Sequence, residues 1–264
     1  MLTIVIPVLN RIELTRECIR HIRENSSKHI PIVIVDNGSS EDVRKELIKI
    51  GDKLIALNKN LGVIPAMNAG WKHCDTDYVM FMHNDLYILE KYWDSRVENV
   101  LGTVPNVGVA GFGGGDEVAK NGWRLNFSSN LINAEAHGRR IRSNYIPSVV
   151  QDGMCLIVRK QLLEDMGTIA KEYSIHHFYD YDLCLESIYR GYKVVTIGVS
   201  INHLGWQTSK GQEYNSLLRE KRTSDSALRE GNRKIYCRKW ENRLPIHVDS
   251  AFNYYNARGP IQMK

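Results

Sequence analysis

Along residues 2–111, short apolar runs alternate with stretches whose apolar residues recur every three or four positions. The apolar runs have the length and composition of buried strands, at Leu2–Val8, Ile32–Val35, Leu54–Leu57, Asp77–Met82 and Val107–Gly111. The stretches between them predict helices, at Glu13–Glu24, Glu41–Ile50, Val63–Lys72 and Leu89–Val100. Parallel strands need crossover connections of this kind, so the alternation predicts an α/β fold with a mostly parallel sheet flanked by helices.

The pattern changes after residue 111. Residues 112–150 are rich in Gly, Asn, Ser and Arg and show little periodicity, and loops of this length are usually functional or mobile. We therefore expect an irregular excursion that forms a flap over a binding site. Beyond residue 150, the periodicity predicts strands at Cys155–Val158 and Lys193–Ile197. It predicts helices at Leu183–Tyr189 and Glu213–Trp240.

The formal net charge of +5 comes from the C-terminal part of the chain. Residues 1–204 hold 23 Lys and Arg against 24 Asp and Glu, whereas residues 205–264 hold 12 against 6. We therefore divide the chain into a domain of residues 1–206 and a basic, largely helical extension of residues 207–264. The extension is either a solvated helical face or a surface that approaches phosphates, an anionic membrane or an acidic acceptor.

The composition is that of an ordinary globular protein. Of 264 residues, 43% are hydrophobic and 25% are charged, which argues against disorder and a coiled coil. The five cysteines include no CxxC pair, so we expect reduced thiols rather than a disulfide framework or a zinc site. The apolar N-terminus lacks a basic flank, and no apolar run approaches the roughly 18 residues of a membrane span. We expect a cytoplasmic protein, peripheral at a membrane only through its basic extension.

Polar residues follow four successive predicted strands. They are Pro7, Asn10 and Arg11, then Asp36, then Asn60, and then Asp85 within His83-Asn84-Asp85. Each of them alone is equally a turn or helix-cap residue. Together they mark the carboxyl edge of a parallel sheet, where ligands of open α/β sheets bind. A carboxylate there, beside a nucleotide phosphate, requires a divalent cation because the two anions otherwise repel each other.

An ordered set of motifs resembles those of glycosyltransferase family 2. The motifs are Ile4 to Arg11, Val33 to Ser39, Asn58 to Gly62 with Asn68-Ala69-Gly70, His83-Asn84-Asp85, and Asp180 to Cys184 with Arg190-Gly191-Tyr192. His203-Leu204-Gly205 resembles a late histidine motif of metal-dependent members. The resemblance covers about residues 1–206, and the motifs are specific as an ordered set rather than singly.

This resemblance implies a GT-A fold, with a Rossmann-like sheet and here a helical C-terminal tail. It also implies that a sugar is transferred with inversion from a nucleoside diphosphate, UDP by family frequency, with the help of Mn²⁺ or Mg²⁺. The chemistry agrees, because a cation offsets the charge of the leaving diphosphate and a base deprotonates the incoming hydroxyl. The two groups must lie on opposite sides of the anomeric carbon, so two separate acidic positions are required.

The resemblance assigns roles to single residues. Asp180 is the candidate general base, Asp85 is a metal ligand, and His203 is a candidate second ligand. We expect Asp182 to be an N-terminal helix residue, a position where the helix dipole favours a carboxylate. Asp36 would hold the nucleobase, and the full set of predicted donor-binding residues is Pro7, Asn10, Arg11, Asp36, Asn60, Asn68, Asn84 and Asp85.

Two positions depart from the family pattern. His83 stands where many relatives have an acidic residue, and Tyr179 stands at the first position of the usual acidic pair. The assignment therefore depends on Asp85 and Asp180. Within the predicted flap, Trp123 and Arg124, together with the Arg-rich segment 139–142, either bind an acceptor or belong to a solvated loop.

Other functions stay open at this stage. A sugar-phosphate nucleotidyltransferase also uses a metal-bearing α/β sheet, although Asn10 to Glu13 is a poor cradle for a triphosphate. A non-catalytic nucleotide-sugar-binding protein would need no base. The acceptor is a glycan, a lipid-linked glycan or, through a basic extension with the interleaved aromatics Tyr214, Tyr236 and Trp240, a nucleic acid.

Overall fold

The computed structural model describes residues 1–132, 138–205 and 211–249. Residues 133–137 of the predicted flap, residues 206–210 at the predicted domain boundary and residues 250–264 of the extension lie outside the described residues. The division of the chain at residue 206 therefore stays a prediction.

Fourteen strands and eight helices form within the described residues. The strands are β1 (Leu2–Val8), β2 (Ile32–Asp36), β3 (Lys53–Ala56), β4 (Tyr78–Met82), β5 (Leu86–Ile88), β6 (Val107–Gly111), β7 (Gly113–Val118), β8 (Arg124–Leu131), β9 (Tyr145–Ser148), β10 (Val150–Gln151), β11 (Cys155–Arg159), β12 (Lys193–Ile197), β13 (Ser200–His203) and β14 (Ile246–His247). The helices are α1 (Ile12–Asn25), α2 (Glu41–Ile50), α3 (Val63–Trp71), α4 (Trp93–Thr103), α5 (Lys160–Met166), α6 (Tyr179–Tyr189), α7 (Gln212–Glu220) and α8 (Asp225–Lys239). Up to β4, the elements lie within about one residue of their predicted bounds, because each has a strong local period.

The centre of the fold is an eight-stranded sheet with the order β3-β2-β1-β4-β11-β6-β12-β9. Strands β3, β2, β1 and β4 are parallel, so the residues that follow β1, β2 and β4 lie at one edge. Strand β11 then enters antiparallel between β4 and β6 and pairs Cys155 with Met82. This pairing places the residues that precede β11 beside the residues that follow β4.

The segment 112–150 is not the irregular excursion that its composition predicted. It contains β7 to β10, and β7 pairs antiparallel with β8. These strands belong to a second sheet of order β10-β7-β8-β13-β5, to which β14 adds beside β7. The glycines at the start of β7, Gly113 to Gly115, leave room for neighbouring groups that a side chain would displace. A Cβ at Gly114, for example, would lie 2.4 Å from the hydroxyl oxygen of Thr196.

Two later helices also differ from their predicted bounds. The helix predicted from Leu89 begins at Trp93, because β5 and a left-handed residue at Tyr92 precede it. The single helix predicted over Glu213–Trp240 is two helices, α7 and α8. They are separate because the Ser224 side chain caps α8 by accepting a hydrogen bond from the amide of Ala227.

Both faces of the central sheet are buried, since successive residues of β1 belong to different cores. Ile4 and Ile6 share one core with residues of α1 and α2. Val5 shares the other with residues of α3, α6 and α8. The extension thus contributes to the same core as the sheet. Among the described residues, no helix combines the length and the apolar character needed to cross a membrane.

A buried carboxylate, Asp182 in the first turn of α6, fixes the extension to the rest of the chain. It accepts hydrogen bonds from Trp240 Nε1 at 2.8 Å, Lys239 Nζ at 2.9 Å and the Tyr173 hydroxyl at 3.0 Å. Lys239 Nζ also lies 2.8 Å from Glu186. Asp182 lies in the first turn of α6 as expected, and it also holds the end of α8 against α6.

The aromatic residues of the extension are buried. Tyr236 is fully buried, and Tyr214 and Trp240 are each 7% exposed. Their rings are therefore not presented to solvent for stacking on bases. These aromatic residues therefore do not support binding of a polynucleotide. Only the positive net charge of the extension still favours it.

We expect Lys239→Met to destabilise the fold, because it leaves the buried carboxylates of Asp182 and Glu186 without their cation. Removing one partner of a buried ion pair costs about 3–5 kcal/mol. Because the Lys239 side chain is 25% exposed, we expect the free energy of unfolding to fall by about 2–3 kcal/mol in urea denaturation. Lys234→Met is the matched control, since Lys234 is exposed on the same helix and 3.9 Å from Glu230. Equal unfolding midpoints for the two variants would contradict the anchoring role of Asp182.

Candidate active site

A cavity of about 480 Å³ opens at the carboxyl edge of the parallel strands. Its walls are the residues that follow β1, β2 and β4, the turn before β11, and the loop between α5 and α6. Helices α7 and α8 of the extension complete the lining. The extension is therefore a wall of the cavity rather than a separate appendage.

Three side chains able to hold a metal ion meet at this cavity: His83, Asp85 and His203. Their ligand atoms all lie within 4.8 Å of one another. The Oδ1 atom of Asp85 is 3.3 Å from His203 Nε2 and 3.9 Å from His83 Nδ1. Imidazole and carboxylate ligands suit a divalent transition metal, so this donor set fits the cation that the sequence predicts. The set adds His83, which the sequence marked only as a departure from the family pattern.

Two strand pairings assemble this metal-ligand cluster. The turn His83-Asn84-Asp85 connects β4 to β5, and β13 pairs antiparallel with β5 so that His203 lies opposite Leu86. The amide of Leu204 also donates to the carbonyl of Asp85 at 3.0 Å. The late histidine thus reaches the strand-end carboxylate through the second sheet.

The electrostatics of the cluster favour an ionised Asp85. Burial would raise the pKa of Asp85, but the hydrogen bond with His203 and the nearby His83 outweigh it and lower the pKa. Burial would lower the pKa of His203, yet the bond to Asp85 raises it, whereas burial does lower the pKa of His83. Asp85 therefore keeps its negative charge, and a cation bound there would take the place of the proton that Asp85 favours on His203.

A pair of carboxylates, Asp152 and Asp180, faces the same cavity. Asp180 lies in the first turn of α6 and accepts hydrogen bonds from the amides of Gly153, at 2.9 Å, and Tyr181, at 3.0 Å. Asp152 is bound to Arg124, whose Nη1 lies 2.8 Å from its Oδ2. The turn that begins with Asp152 therefore also holds Asp180 in place.

Glycine at position 153 allows this close approach. A Cβ there would lie 2.4 Å from the hydroxyl oxygen of Tyr179 and 3.3 Å from Oδ2 of Asp180. The Tyr179 hydroxyl donates to the carbonyl of Gly153 at 3.4 Å. Tyr179, the second departure from the family pattern, is thus a buried packing residue beneath the carboxylate pair.

The two carboxylates have opposite pKa shifts. Burial raises the pKa of Asp180 to about 7, and the charge of Asp152 adds to the effect. Burial also acts on Asp152, but Arg124 outweighs it and holds the pKa of Asp152 below its usual value. Near neutral pH, Asp152 is ionised while Asp180 exchanges a proton, which is the property of a general acid or base.

Several predicted donor-binding residues line the cavity, namely Pro7, Asn60, Asn84 and Asp85. Asn84 is 5% exposed, and its Nδ2 donates to the Thr15 hydroxyl at 3.0 Å. Asn60 Oδ1 accepts a hydrogen bond from the amide of Gly62 at 3.0 Å, which shapes the loop before α3.

Asp36, the predicted nucleobase contact, does not line the cavity. Its side chain is fully buried, and it accepts hydrogen bonds from the amide of Ser39 at 2.8 Å and from Arg44 Nε at 2.6 Å. The neighbouring Asn37 lines the cavity instead. Asp36 thus supports the loop after β2, and its contact with a nucleobase stays a prediction.

The other three predicted donor residues also lie behind the lining. Asn10 Nδ2 donates to Glu213 of α7 at 2.7 Å, and Arg11 is the left-handed residue before α1. Asn68 Nδ2 donates to the carbonyl of Ile169 at 3.0 Å and thereby ties α3 to the loop after α5. Direct contact of these residues with a donor stays a prediction.

Sequence reasoning missed part of the lining. Asp152 reaches the cavity through the antiparallel pairing of β11, which local patterns do not reveal. Trp123 and Arg124, left between two interpretations, are both lining residues. Further missed residues come from the loop before α6 and from the extension, among them His176, His177, Tyr214, Leu217, Asp225 and Arg229. The one available signal was the pair of histidines just before the Asp180 motif.

Residues 3–167 match the family described as Glycosyl transferase family 2. An uncharacterized glycosyltransferase of Rickettsia bellii is 32% identical over 129 residues, which are 46% of this chain and 18% of that protein. The chain thus spans less than a fifth of the length of this relative.

Solved structures share the fold at low sequence identity. GalNAc-T7, crystallised with UDP, GalNAc and Mn²⁺, gives a TM-score of 0.61 at 11% identity and covers 77% of this chain and 43% of its own. The mannosyltransferase PcManGT from Pyrobaculum calidifontis, in complex with GDP-Man and Mn²⁺, gives a TM-score of 0.53 at 14% identity. The match covers 97% of this chain and 73% of that protein's chain. At these identities the similarity bears on the fold alone.

We expect Asp152→Asn to lower the pKa of Asp180, because it removes the negative charge that opposes ionisation of the neighbouring carboxyl. The pKa should move from about 7 toward the ordinary value of about 3.9 in a carbon NMR titration of the Asp180 carboxyl. Asp116→Asn, at an aspartate paired with Arg139 outside the cavity lining, is the control and should leave the titration unchanged. An unchanged titration in Asp152→Asn would show that the two carboxyls are not coupled.

Proposed function

The chain belongs to glycosyltransferase family 2 and has a GT-A fold, and we propose that it transfers a sugar from a nucleoside-diphosphate sugar to an acceptor hydroxyl with inversion. One observation carries the proposal. A single cavity is lined both by His83 and Asp85 of the metal-ligand cluster and by Asp180, whose carboxyl has a pKa near neutral. Displacement at an anomeric carbon needs both groups, one for the leaving diphosphate and one for the incoming hydroxyl.

The donor diphosphate is proposed to lie at His83, Asp85 and His203. These residues would hold Mn²⁺ or Mg²⁺, and two imidazoles favour Mn²⁺ because Mg²⁺ prefers oxygen ligands. When bound, the cation would offset the charge of the leaving diphosphate. Two solved structures of this fold contain Mn²⁺ together with UDP or GDP-Man, which supports this proposal.

Asp180 is proposed to take the proton of the acceptor hydroxyl as that oxygen attacks. With a pKa of about 7, Asp180 is ionised in a fraction of the molecules at neutral pH. The ionised carboxylate is also basic enough to accept a proton. Asp152 keeps that pKa high, and the Gly153 amide fixes the direction of the carboxyl. Asp152 and Gly153 are therefore positioning residues for the base.

The nucleoside is proposed to bind where Pro7, Asn37, Asn60 and Asn84 line the cavity. UDP is the donor nucleotide that we propose to test first. Asp36, Asn10, Arg11 and Asn68 would act through the loops that they hold, since they lie behind these lining residues.

The acceptor is proposed to be a glycan or a lipid-linked glycan. Trp123 is 41% exposed at the cavity, and its ring lies 5.5 Å from that of Phe178, which precedes α6. An exposed indole offers an apolar face on which a sugar ring can pack. The next residue, Arg124, contacts Asp152, so this face adjoins the proposed base.

We expect Asp180→Asn to keep nucleotide binding but to lower transfer by about 10²–10⁴-fold, the usual contribution of a general base. Binding of UDP and GDP with Mn²⁺ is measured by calorimetry. Transfer is measured as nucleoside diphosphate released from a panel of nucleotide sugars and glycan acceptors. In wild type, activity should rise as the pH increases through about 7, because the base must be deprotonated.

Two further variants make the result specific. Asp85→Ala should lose metal-dependent nucleotide binding, whereas Asp165→Asn, at an exposed aspartate of α5, should match wild type in both assays. Wild-type turnover in Asp180→Asn would refute its role as base. Absence of nucleotide binding by the wild type, with or without Mn²⁺, would refute the transferase function itself.

A further inference from the structure

A second cluster of metal-ligating side chains, His176, His177 and Asp225, lies in the part of the cavity wall that the extension completes. Its ligand atoms also lie within 4.8 Å of one another. We propose that this cluster is a second metal site, which binds zinc or a similar transition-metal dication independently of the donor site.

The distances suit a tetrahedral ion. The Oδ1 atom of Asp225 is 2.9 Å from His177 Nε2 and 3.5 Å from His176 Nε2. Ligand atoms about 2.0–2.1 Å from a tetrahedral zinc lie roughly 3.4 Å from one another. The hydroxyl of Tyr214, 2.7 Å from Oδ1 of Asp225, is a fourth polar atom beside these three ligand atoms. The site also opens on the cavity, where a ligand oxygen could complete the coordination.

Surrounding contacts orient the cluster. Arg229 Nη2 lies 3.2 Å from Oδ2 of Asp225, which directs the other carboxylate oxygen toward the two histidines. Such outer contacts position metal ligands in known sites. Imidazole and carboxylate ligands bind Zn²⁺ more strongly than Mn²⁺, so the order of metal affinities favours zinc here.

The loop that carries the histidines is strained. Ile175, His177 and Phe178 have φ angles of 57°, 71° and 63°, in the left-handed region that non-glycine residues rarely adopt. Asn232 of α8 holds this loop through hydrogen bonds to three of its carbonyls, those of Ser174, His176 and His177. A metal at the cluster would join the same two elements. It would thus fix the extension against the loop that leads to Asp180.

The test separates this site from the donor site by using Asp85→Ala as the parent protein. After removal of metal, we expect this variant to bind one Zn²⁺ per chain in calorimetry. Its melting temperature should rise by roughly 5–10 °C at a zinc concentration about 100 times the dissociation constant. Adding His177→Gln or Asp225→Asn to the parent should weaken zinc binding by more than about 100-fold, because the loss of an outer contact alone costs 10–100-fold.

His29→Gln in the same parent is the matched control, since His29 lies 3.2 Å from Asp52 but is 64% exposed at the surface. It should bind zinc as the parent does. The metal-free melting temperature of each variant shows whether it has folded. The proposal is overturned if the folded parent takes up no stoichiometric zinc. It is equally overturned if folded His177→Gln and Asp225→Asn variants bind zinc as tightly as the parent.

Discussion

The site is governed by one electrostatic constraint: three aspartates face a single partly enclosed cavity, and their charges must be compensated. Asp85 is stabilised by His203 and His83, and Asp152 is stabilised by Arg124. Burial and then the charge of Asp152 raise the pKa of Asp180 to about 7, because Arg124 offsets them only in part. Asp85 and Asp152 are thus charged, whereas Asp180 can take up a proton near neutral pH. The cavity therefore offers one place for a cation, at Asp85, and another for a base, at Asp180.

This arrangement depends on topology. The parallel strands deliver Asp85 to the sheet edge, but the neighbours that set its charge arrive by antiparallel pairing. Strand β11 lies beside β4, so that the amide of His83 donates to the carbonyl of Met154, at 3.0 Å, and Asp152 comes close. Strand β13 brings His203 in the same way. The extension closes the cavity because the buried Asp182 holds α8 against α6.

The sequence allowed the parallel half of the sheet, the family and the strand-end residues to be predicted, because local periodicity and short motifs determine them. It did not reveal the insertion of β11, which pairs residues far apart in the chain. It did not reveal β7 either, because the groups that approach the glycines of this strand, such as Thr196, are also distant in sequence. The charge of the extension suggested a separate surface, while its buried aromatics, including Tyr236, place it in the core.

The central claim is that a cation-bound diphosphate and the base Asp180 share this cavity. A crystal structure with UDP and Mn²⁺, with data collected for the anomalous scattering of manganese, tests it most directly. The account predicts a manganese peak bounded by His83, Asp85 and His203 and in contact with the diphosphate, with the Asp180 carboxyl facing the remaining space. A diphosphate bound away from Asp85, or manganese bound with it elsewhere in the chain, would contradict the account.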